Sequence, residues 1–296
     1  MTKRILAATD LSEGSNEALR QAHAYALSGG GKLAVCYVLP ALFGLSALFP
    51  PRDAASLAQA AELEARIRHL VGRRLATFMP AASVEIFIDQ GSAYAEIVRR
   101  AETWSADLVV VGSYGMSGMP REHLGSVAEL VVRNAHCPVL VARASQARSG
   151  VVVAATDLSD PSMPAVAAGV AEGRRRDARL VAVHAIDFAS LAVNIEELVL
   201  NATLDSADWN IDEEIRKGVE TKIHDALEKC SGKGEARVVS GTAAAAIIRC
   251  ADAVGAELVV VGTRGRTGLM RLALGSVAER VIRSAACSVL AVRLTV

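Results

Sequence analysis

The feature that most constrains the fold of this chain is an internal repeat. Residues 7–12 and 154–159 are identical, and so are residues 125–129 and 275–279. In each half, two glycines three residues apart are followed, after nine more residues, by a Gly-Ser pair. Since 296 residues suffice for two domains of ordinary size, the sequence predicts one domain type duplicated in tandem.

Apolar runs in each half alternate with stretches of helical periodicity. The runs are apolar throughout, which is typical of parallel strands whose two faces are both covered by helices. We therefore expect an α/β fold of two tandem doubly-wound domains, at residues 1–144 and 150–296, joined by a polar linker. Each domain should hold a five-stranded parallel sheet of order 3-2-1-4-5 with helices on both faces, and a pseudo-two-fold should relate the two.

The hydrophobic pattern also predicts where the elements of the first half lie. We expect strands at residues 4–10, 32–39, 83–88, 107–111 and 138–142, and helices at 16–28, 54–78, 93–104 and 126–134. The apolar stretch 40–51 should form a loop or a short helix. The last strand of each half is too apolar for an open edge, so these two strands are expected to pair with each other. Further dimerisation of the chain is left open.

The carboxyl ends of the first and fourth strands should form a ligand crevice, because the winding of the sheet reverses between them. The first strand of each half ends at Asp10 or Asp157, and the fourth ends at the glycine pattern. That pattern leads into a helix that starts at Ser126 or Ser276. Glycines allow close approach of a ligand, and the free amides and dipole of a helix start favour a phosphate. A carboxylate at the opposite lip suits ribose hydroxyls.

An apolar slot between the ends of strands two and four could take a purine, which makes a nucleotide such as ATP the expected ligand. The slot residues are Val38 and Val111 in the first half and Ala185 and Val261 in the second. Two alternatives remain at this point. The glycines could serve only tight turns and helix packing, and the two aspartates could act only as helix caps.

The chain resembles the universal stress protein family. The resemblance rests on the Ala-Thr-Asp runs at 8–10 and 155–157 and on both copies of the glycine pattern, and it covers nearly the whole chain. ATP-binding members of that family carry the same glycine pattern. The resemblance implies that ATP or AMP is bound, with Mg²⁺ as a candidate counter-ion, and that the aspartates hold the ribose while the glycines and the following Ser and Val wrap the phosphates.

Together with the slot residues, these inferences give one predicted nucleotide site in each half. The first comprises Ala8, Thr9, Asp10, Val38, Val111, Gly112, Gly115, Gly125, Ser126 and Val127. The second comprises Ala155, Thr156, Asp157, Ala185, Val261, Gly262, Gly265, Gly275, Ser276 and Val277.

The two predicted phosphate loops differ in charge. The first loop contains Pro120, which lacks a backbone N–H, and a single arginine. The second contains two arginines and follows Arg264, where the first half has Tyr114. We therefore predict that the second site holds a triphosphate more tightly.

The sequence argues against rapid catalysis. It lacks a Gly-Lys-Ser/Thr phosphate loop, and no lysine follows either glycine pattern. We expect a stress-response regulatory protein that binds nucleotide with little or slow hydrolysis, without catalytic or metal-ligating residues. The alternatives are a nucleotide-free scaffold or chaperone-like protein, and a slow ATP-hydrolysing or adenylyl-transfer enzyme.

Composition narrows the expected partners and compartment. Acidic and basic residues balance at 32 each, which argues against a general binder of nucleic acid or membrane surfaces. With neither a signal peptide nor an apolar run of about 18 residues, a cytoplasmic protein is expected. The partners should be an adenine nucleotide and an unidentified protein.

Five cysteines without a CxxC pair predict reduced, mostly buried thiols. His184 is predicted to be a hydrogen-bonded interior histidine.

Overall fold

The chain divides into two compact units, Met1–Ala144 and Ser145–Val296. The computed structural model describes residues 3–40, 54–77, 84–114, 124–144, 150–187, 211–263 and 274–293. The expected loop or short helix after Pro40 lies outside the described residues, and so do the predicted site residues Gly115 and Gly265.

The first unit contains a five-stranded sheet of order β3-β2-β1-β4-β5, in which all neighbouring strands run parallel. Its strands are β1 (Arg4–Thr9), β2 (Lys32–Pro40), β3 (Glu85–Gly91), β4 (Leu108–Gly112) and β5 (Val139–Ala142). Its described helices are α1 (Glu13–Gly29), α2 (Ala54–Ala76), α3 (Ala93–Thr103) and α4 (Ser126–Asn134).

The second unit repeats this arrangement with the strand order β8-β7-β6-β9-β10, again parallel throughout. Its strands are β6 (Val151–Ala155), β7 (Arg179–Ile186), β8 (Glu235–Ser240), β9 (Leu258–Gly262) and β10 (Ser288–Val292). Its described helices are a 3₁₀ turn (Asp160–Ser162), α5 (Met163–Arg176), α6 (Ile211–Lys229), α7 (Ala243–Ala253) and α8 (Ser276–Ser284). The order 3-2-1-4-5 predicted for each sheet is confirmed.

The core of each unit lies at the central strands. Val109 and Val110 of β4, and Val259 and Val260 of β9, have no solvent-exposed surface. In the first unit, α1 packs on β1 and β4, whereas α3 packs on β2 and on α4. Burial of these short strands on both faces explains why their sequences are apolar throughout rather than alternating.

Most element boundaries differ from the sequence expectation by one to three residues, and three of these differences have a visible local cause. β1 ends at Thr9 rather than residue 10, because Asp10 accepts hydrogen bonds from Ser12 and turns the chain. α1 begins at Glu13 rather than residue 16, because the side chain of Ser12 caps the helix. β3 runs to Gly91 rather than residue 88, since it stays paired with β2 to that point.

Candidate functional site

The turn after β1 holds a carboxylate in a fixed position. Asp10 Oδ1 accepts hydrogen bonds from the backbone N of Ser12 at 3.0 Å and from its Oγ at 2.5 Å. Thr9 Oγ1 accepts from the backbone N of Leu11 at 3.0 Å, and Leu11 has a φ of 64°. A leucine in the left-handed region is strained, so these side-chain bonds stabilise a conformation that the backbone alone would avoid.

The turn after β6 has the same geometry. Asp157 Oδ1 accepts from the backbone N of Ser159 at 3.0 Å and from its Oγ at 2.5 Å. Leu158 has a φ of 62° and donates its N–H to Thr156 Oγ1 at 3.0 Å. Each unit therefore places an aspartate at the carboxyl end of its central strand by the same strained turn.

The alternative that these aspartates serve as helix caps does not hold. The N-cap of α1 is Ser12, whose Oγ accepts from the backbone N of Ser15 at 3.2 Å. In the second unit the residues at the N-cap positions of the 3₁₀ turn and of α5 are Ser159 and Ser162. The carboxylates order the turns that precede the helices, and they remain beside the crevice.

The glycine pattern brings a helix start to the same crevice. Gly125 is the N-cap of α4 in an extended conformation, and its backbone N donates to the carbonyl of Ser113 at 2.8 Å. Gly275 is the N-cap of α8 and donates to Thr263 O at 2.9 Å. Within the described residues, neither helix start receives a side-chain cap. Their first amides are therefore available to an anion.

A cavity of about 320 Å³ lies at the carboxyl ends of the strands of the first unit. It is lined by every residue predicted for the first site apart from Gly115, namely Ala8, Thr9, Asp10, Val38, Val111, Gly112, Gly125, Ser126 and Val127. Residues far apart in the sequence thus surround one volume, with the carboxylate, the helix start and an apolar slot on its wall.

The second unit has a corresponding cavity of about 260 Å³. Its lining includes every residue predicted for the second site apart from Gly265, namely Ala155, Thr156, Asp157, Ala185, Val261, Gly262, Gly275, Ser276 and Val277. In both units, the role of these residues as nucleotide ligands stays a prediction.

The helix after the third strand also lines each cavity, which the sequence did not predict. Ala93 and Ile97 of α3 line the first cavity, and Ala243 and Ile247 of α7 line the second. These pairs are identical in both halves and stand four residues apart, so each pair lies on one helix face. The presence of the same Ala and Ile at matching positions of both halves could have predicted that these residues line the cavities.

One wall of the first cavity contains Tyr114, whose position depends on the close packing of α1 against the end of β4. Tyr114 lines the cavity, and a Cβ on Gly14 would overlap its carbonyl oxygen and lie 3.0 Å from its ring atom Cδ2. The second half has Pro161 and Arg264 at the matching sequence positions. The two cavities therefore differ at this wall.

An ionic cluster around the buried Asp89 joins α3 to β3. Asp89 of β3 accepts from Arg100 Nε at 2.9 Å and from Arg99 Nη2 at 2.8 Å, and the Arg100 guanidinium lies 4.3 Å from the Phe87 ring centroid. Burial by itself would raise the pKa of Asp89, but the hydrogen bond and charge of Arg100, with the charge of Arg99, hold the pKa below its ordinary value. The cluster fixes α3, and with it the cavity wall, to the sheet.

The same cluster determines the protonation of Cys36, a buried residue that is among those lining the first cavity. Its Sγ donates to Asp89 Oδ2 at 3.7 Å. Burial, reinforced by the negative charge of Asp89, raises the pKa of the Cys36 thiol to about 12. Cys36 is therefore a neutral, unreactive thiol at physiological pH. In the second half the positions of Cys36, Asp89 and Arg100 are taken by Val183, Val239 and Cys250.

The remaining sequence expectations concern cysteine, metal and membrane chemistry. Four of the five cysteines are buried and Cys230 is half-buried, in agreement with the prediction of mostly buried thiols. Across the described ranges, no group of three or more His, Cys, Asp or Glu side chains is placed to hold a metal ion. None of the helices in the described part of the chain is long and apolar enough to cross a membrane.

The sequence profile of the universal stress protein family matches residues 1–143 and 150–293. The chain belongs to the universal stress protein family. The match covers both units, so the tandem resemblance seen in the sequence is confirmed.

Curated universal stress proteins match parts of this chain. Universal stress protein Rv2005c of Mycobacterium tuberculosis is 31% identical over 193 residues, which cover 64% of this chain and 62% of that relative. Universal stress protein MJ0531 of Methanocaldococcus jannaschii is 33% identical over 146 residues, covering 48% of this chain and 81% of the relative. The match to the mycobacterial protein thus spans less than two thirds of its length.

Solved structures support the fold of this universal stress protein over nearly its full length. A universal stress protein from Archaeoglobus fulgidus has a TM-score of 0.63 at 20% identity, and the alignment covers 98% of each chain. The functionally unknown protein PA1789 from Pseudomonas aeruginosa has a TM-score of 0.62 at 18% identity, covering 98% of this chain and 92% of that one. At these identities the likeness concerns the fold alone.

Proposed function

We propose that each unit of this universal stress protein binds one adenine nucleotide, ATP or AMP, and that occupancy rather than turnover is its regulatory signal. The observation that supports this proposal most directly is the repeated composition of the two cavities. Each combines an aspartate, a glycine-flanked helix start and an apolar slot on one wall. A nucleotide presents hydroxyls, an anionic tail and an apolar ring in the same combination.

The phosphates bind at the start of α4 or α8. Gly125 and Gly275 carry no side chain that would keep a ligand from the backbone, and the following Ser126 or Ser276 supplies a hydroxyl beside the first helical amides. The dipole of a helix start favours negative charge there, by about 0.3–1 kcal/mol at exposed sites.

The ribose and the base occupy the rest of each cavity. Asp10 or Asp157 accepts hydrogen bonds from the ribose hydroxyls, since each carboxylate lines the cavity in a fixed turn. In the first unit the adenine lies in the slot formed by Val38, Ile97 and Val111. Mg²⁺, where present, would be held through the phosphates.

In this proposal nucleotide occupancy of the two cavities alters the surface that the protein offers to a protein partner. The protein acts in the cytoplasm, and hydrolysis is slow because the described residues that line the two cavities include no lysine to stabilise a leaving phosphate.

Isothermal titration with ATP and with AMP tests this function directly. The parent protein should bind two nucleotides per chain, and Asp10→Ala or Asp157→Ala should weaken one site by about 10–100-fold, because each removes charge-assisted hydrogen bonds of about 1.5–3 kcal/mol. Glu13→Ala and Asp160→Ala remove exposed acidic residues from the same two regions without touching a cavity wall, so they should leave both sites intact. Two full-affinity sites in the Asp10→Ala/Asp157→Ala double variant would disprove the assigned mode of binding.

A further inference from the structure

A buried serine without a predicted role lines each cavity. Ser15 of α1 lines the first cavity, and Ser162, the last residue of the 3₁₀ turn, lines the second. Each stands three residues after the serine that donates to the aspartate, and each is only 4% exposed. The same residue type therefore recurs on both walls at the same spacing from the turn.

The hydrogen bonds of Ser15 fix the direction of its hydroxyl group. Ser15 Oγ donates to the carbonyl oxygen of Ser12 at 2.9 Å, and it also lies 2.9 Å from Thr9 Oγ1. A carbonyl only accepts, so the Ser15 hydrogen lies on the first bond and Thr9 must donate in the second. Thr9 Oγ1 in turn accepts from the backbone N of Leu11. Both hydroxyl hydrogens are thus committed within the turn.

The second unit repeats this chain of hydrogen bonds. Ser162 Oγ donates to the carbonyl oxygen of Ser159 at 2.8 Å and lies 2.8 Å from Thr156 Oγ1. The backbone N of Leu158 donates to the same threonine oxygen. Because Ser15 belongs to an α-helix and Ser162 to a 3₁₀ turn, the same bonds form in two different local structures.

A serine and a threonine with committed hydrogens offer only lone pairs to a ligand. Thr9 and Ser15 line the first cavity together with Asp10, whose ionised carboxylate also only accepts. The same three residue types line the second cavity. A ligand must therefore bring hydrogen-bond donors to this end of each cavity. The hydroxyls of a ribose are donors of that kind, whereas ionised phosphate oxygens are not.

We propose that Ser15 and Ser162 are positioning residues that make each site select nucleotides with free ribose hydroxyls. The proposal rests on the proposed nucleotide function. Each serine oxygen accepts the hydrogen of its threonine partner and so keeps that threonine an acceptor toward the ligand. Without the serine hydroxyl, the threonine hydrogen is no longer held and competes as a donor with the ribose hydroxyls. The turn that carries the aspartate also loses one of its hydrogen bonds.

The test uses the full chain with Asp157→Ala, which weakens the second site so that the first can be measured. ATP and dideoxy-ATP, which lacks both ribose hydroxyls, are titrated calorimetrically into this background and into the same background with Ser15→Ala. This background should prefer ATP by about tenfold or more. Ser15→Ala should weaken ATP binding by about three- to tenfold and leave dideoxy-ATP binding nearly unchanged, so that the preference falls.

Ser28→Ala is the matched control in the same helix. The exposed Ser28 hydroxyl donates to the carbonyl oxygen of Tyr25 at 3.2 Å, and Ser28 does not line the first cavity. This variant should change the affinity for neither ligand. At the second site, Ser162→Ala in an Asp10→Ala background should lower the preference for ATP in the same way.

A purely structural role for the two serines predicts a different result. If Ser15 only stabilised α1, Ser15→Ala would weaken both ligands equally and the preference for ATP would stay the same. An unchanged preference at either site overturns the inference while leaving the proposed function intact. Absence of ATP binding to the parent protein overturns both.

A second measurement needs no variant at either serine, so it applies even if these substitutions prevent folding. Fluorine accepts weakly and cannot donate a hydrogen. In the parent protein, the analogue of deoxy-ATP with fluorine in place of the missing hydroxyl should therefore bind no better than deoxy-ATP itself. An analogue that binds as tightly as ATP would show that this end of the cavity supplies donors, and the inference would be wrong.

Discussion

At the scale of single residues, the Asp89 carboxylate pairs with two arginines of α3 and so stabilises the contact of this helix with the sheet. Its carboxylate is nearly buried and is held by two arginines, one of which also packs over an aromatic ring. Asp89→Ala would remove the carboxylate shared by Arg99 and Arg100, whose side chains are partly exposed, so we expect a loss of about 1.5–3 kcal/mol in the free energy of unfolding of the first unit. Urea denaturation measures this. Glu64→Ala breaks the exposed Glu64–Arg68 pair and should cost about 0.5 kcal/mol or less; equal losses in the two variants would contradict the expectation.

Asp89 also predicts how stability depends on pH. Its pKa in the folded protein lies below the ordinary value of 3.8, chiefly through Arg100 acting against burial. A carboxyl group with a lowered folded pKa binds fewer protons in the folded state, so its stabilisation is fully present above pH 3.8 and is lost as the pH falls through the folded pKa. The stability difference between the parent and Asp89→Asn should be constant at neutral pH and shrink below pH 3.8. A difference that grew on acidification would show the opposite shift.

At the scale of the elements, the fit of α1 against the end of β4 depends on two glycines. A Cβ on Gly112 would lie 2.9 Å from the carbonyl oxygen of Gly14, and a Cβ on Gly14 would overlap the backbone of Tyr114. Gly14→Ala should therefore destabilise the first unit by about 1–3 kcal/mol and displace Tyr114 from the cavity wall. Thermal unfolding measures the destabilisation. Nucleotide titration of the first site detects the displacement of Tyr114.

Gly72 in α2 is the matched control for this substitution. A Cβ there would meet no atom within 4 Å. Gly72→Ala should raise the stability by about 0.5–1 kcal/mol, because alanine loses less backbone entropy on entering a helix. If Gly14→Ala were as well tolerated as Gly72→Ala, the close approach of α1 to Tyr114 would be wrong.

At the scale of the whole molecule, the duplication gives one chain two cavities whose described linings differ. The first has Cys36 and Tyr114 on its wall, and the second has His184. The phosphate loops add the arginine difference read from the sequence, so we predict that the second site binds ATP more tightly. The comparison is made by titrating two variants with ATP. Asp10→Ala gives the dissociation constant of the second site, and Asp157→Ala gives that of the first. Equal dissociation constants for ATP in the two variants would reject the prediction.

Much of this universal stress protein was determined by its sequence alone. The repeat, the Val-rich strands, the order of each sheet and the pairing of Asp10 and Asp157 with the glycine patterns all follow from local periodicity and from rules of strand connection. The pseudo-two-fold and the pairing of the last strands of the two halves stay predictions.

The tertiary structure decided the contacts between residues that are remote in the chain. In the folded chain, Ile97 of α3 lines the first cavity and Gly14 packs closely against Tyr114. The His184 ring forms a hydrogen bond with the Thr156 carbonyl. Each of these depends on the register of one strand against another or on where a helix crosses the sheet. Those quantities are set by how all the side chains of a unit pack at once, and no local run of residues encodes them.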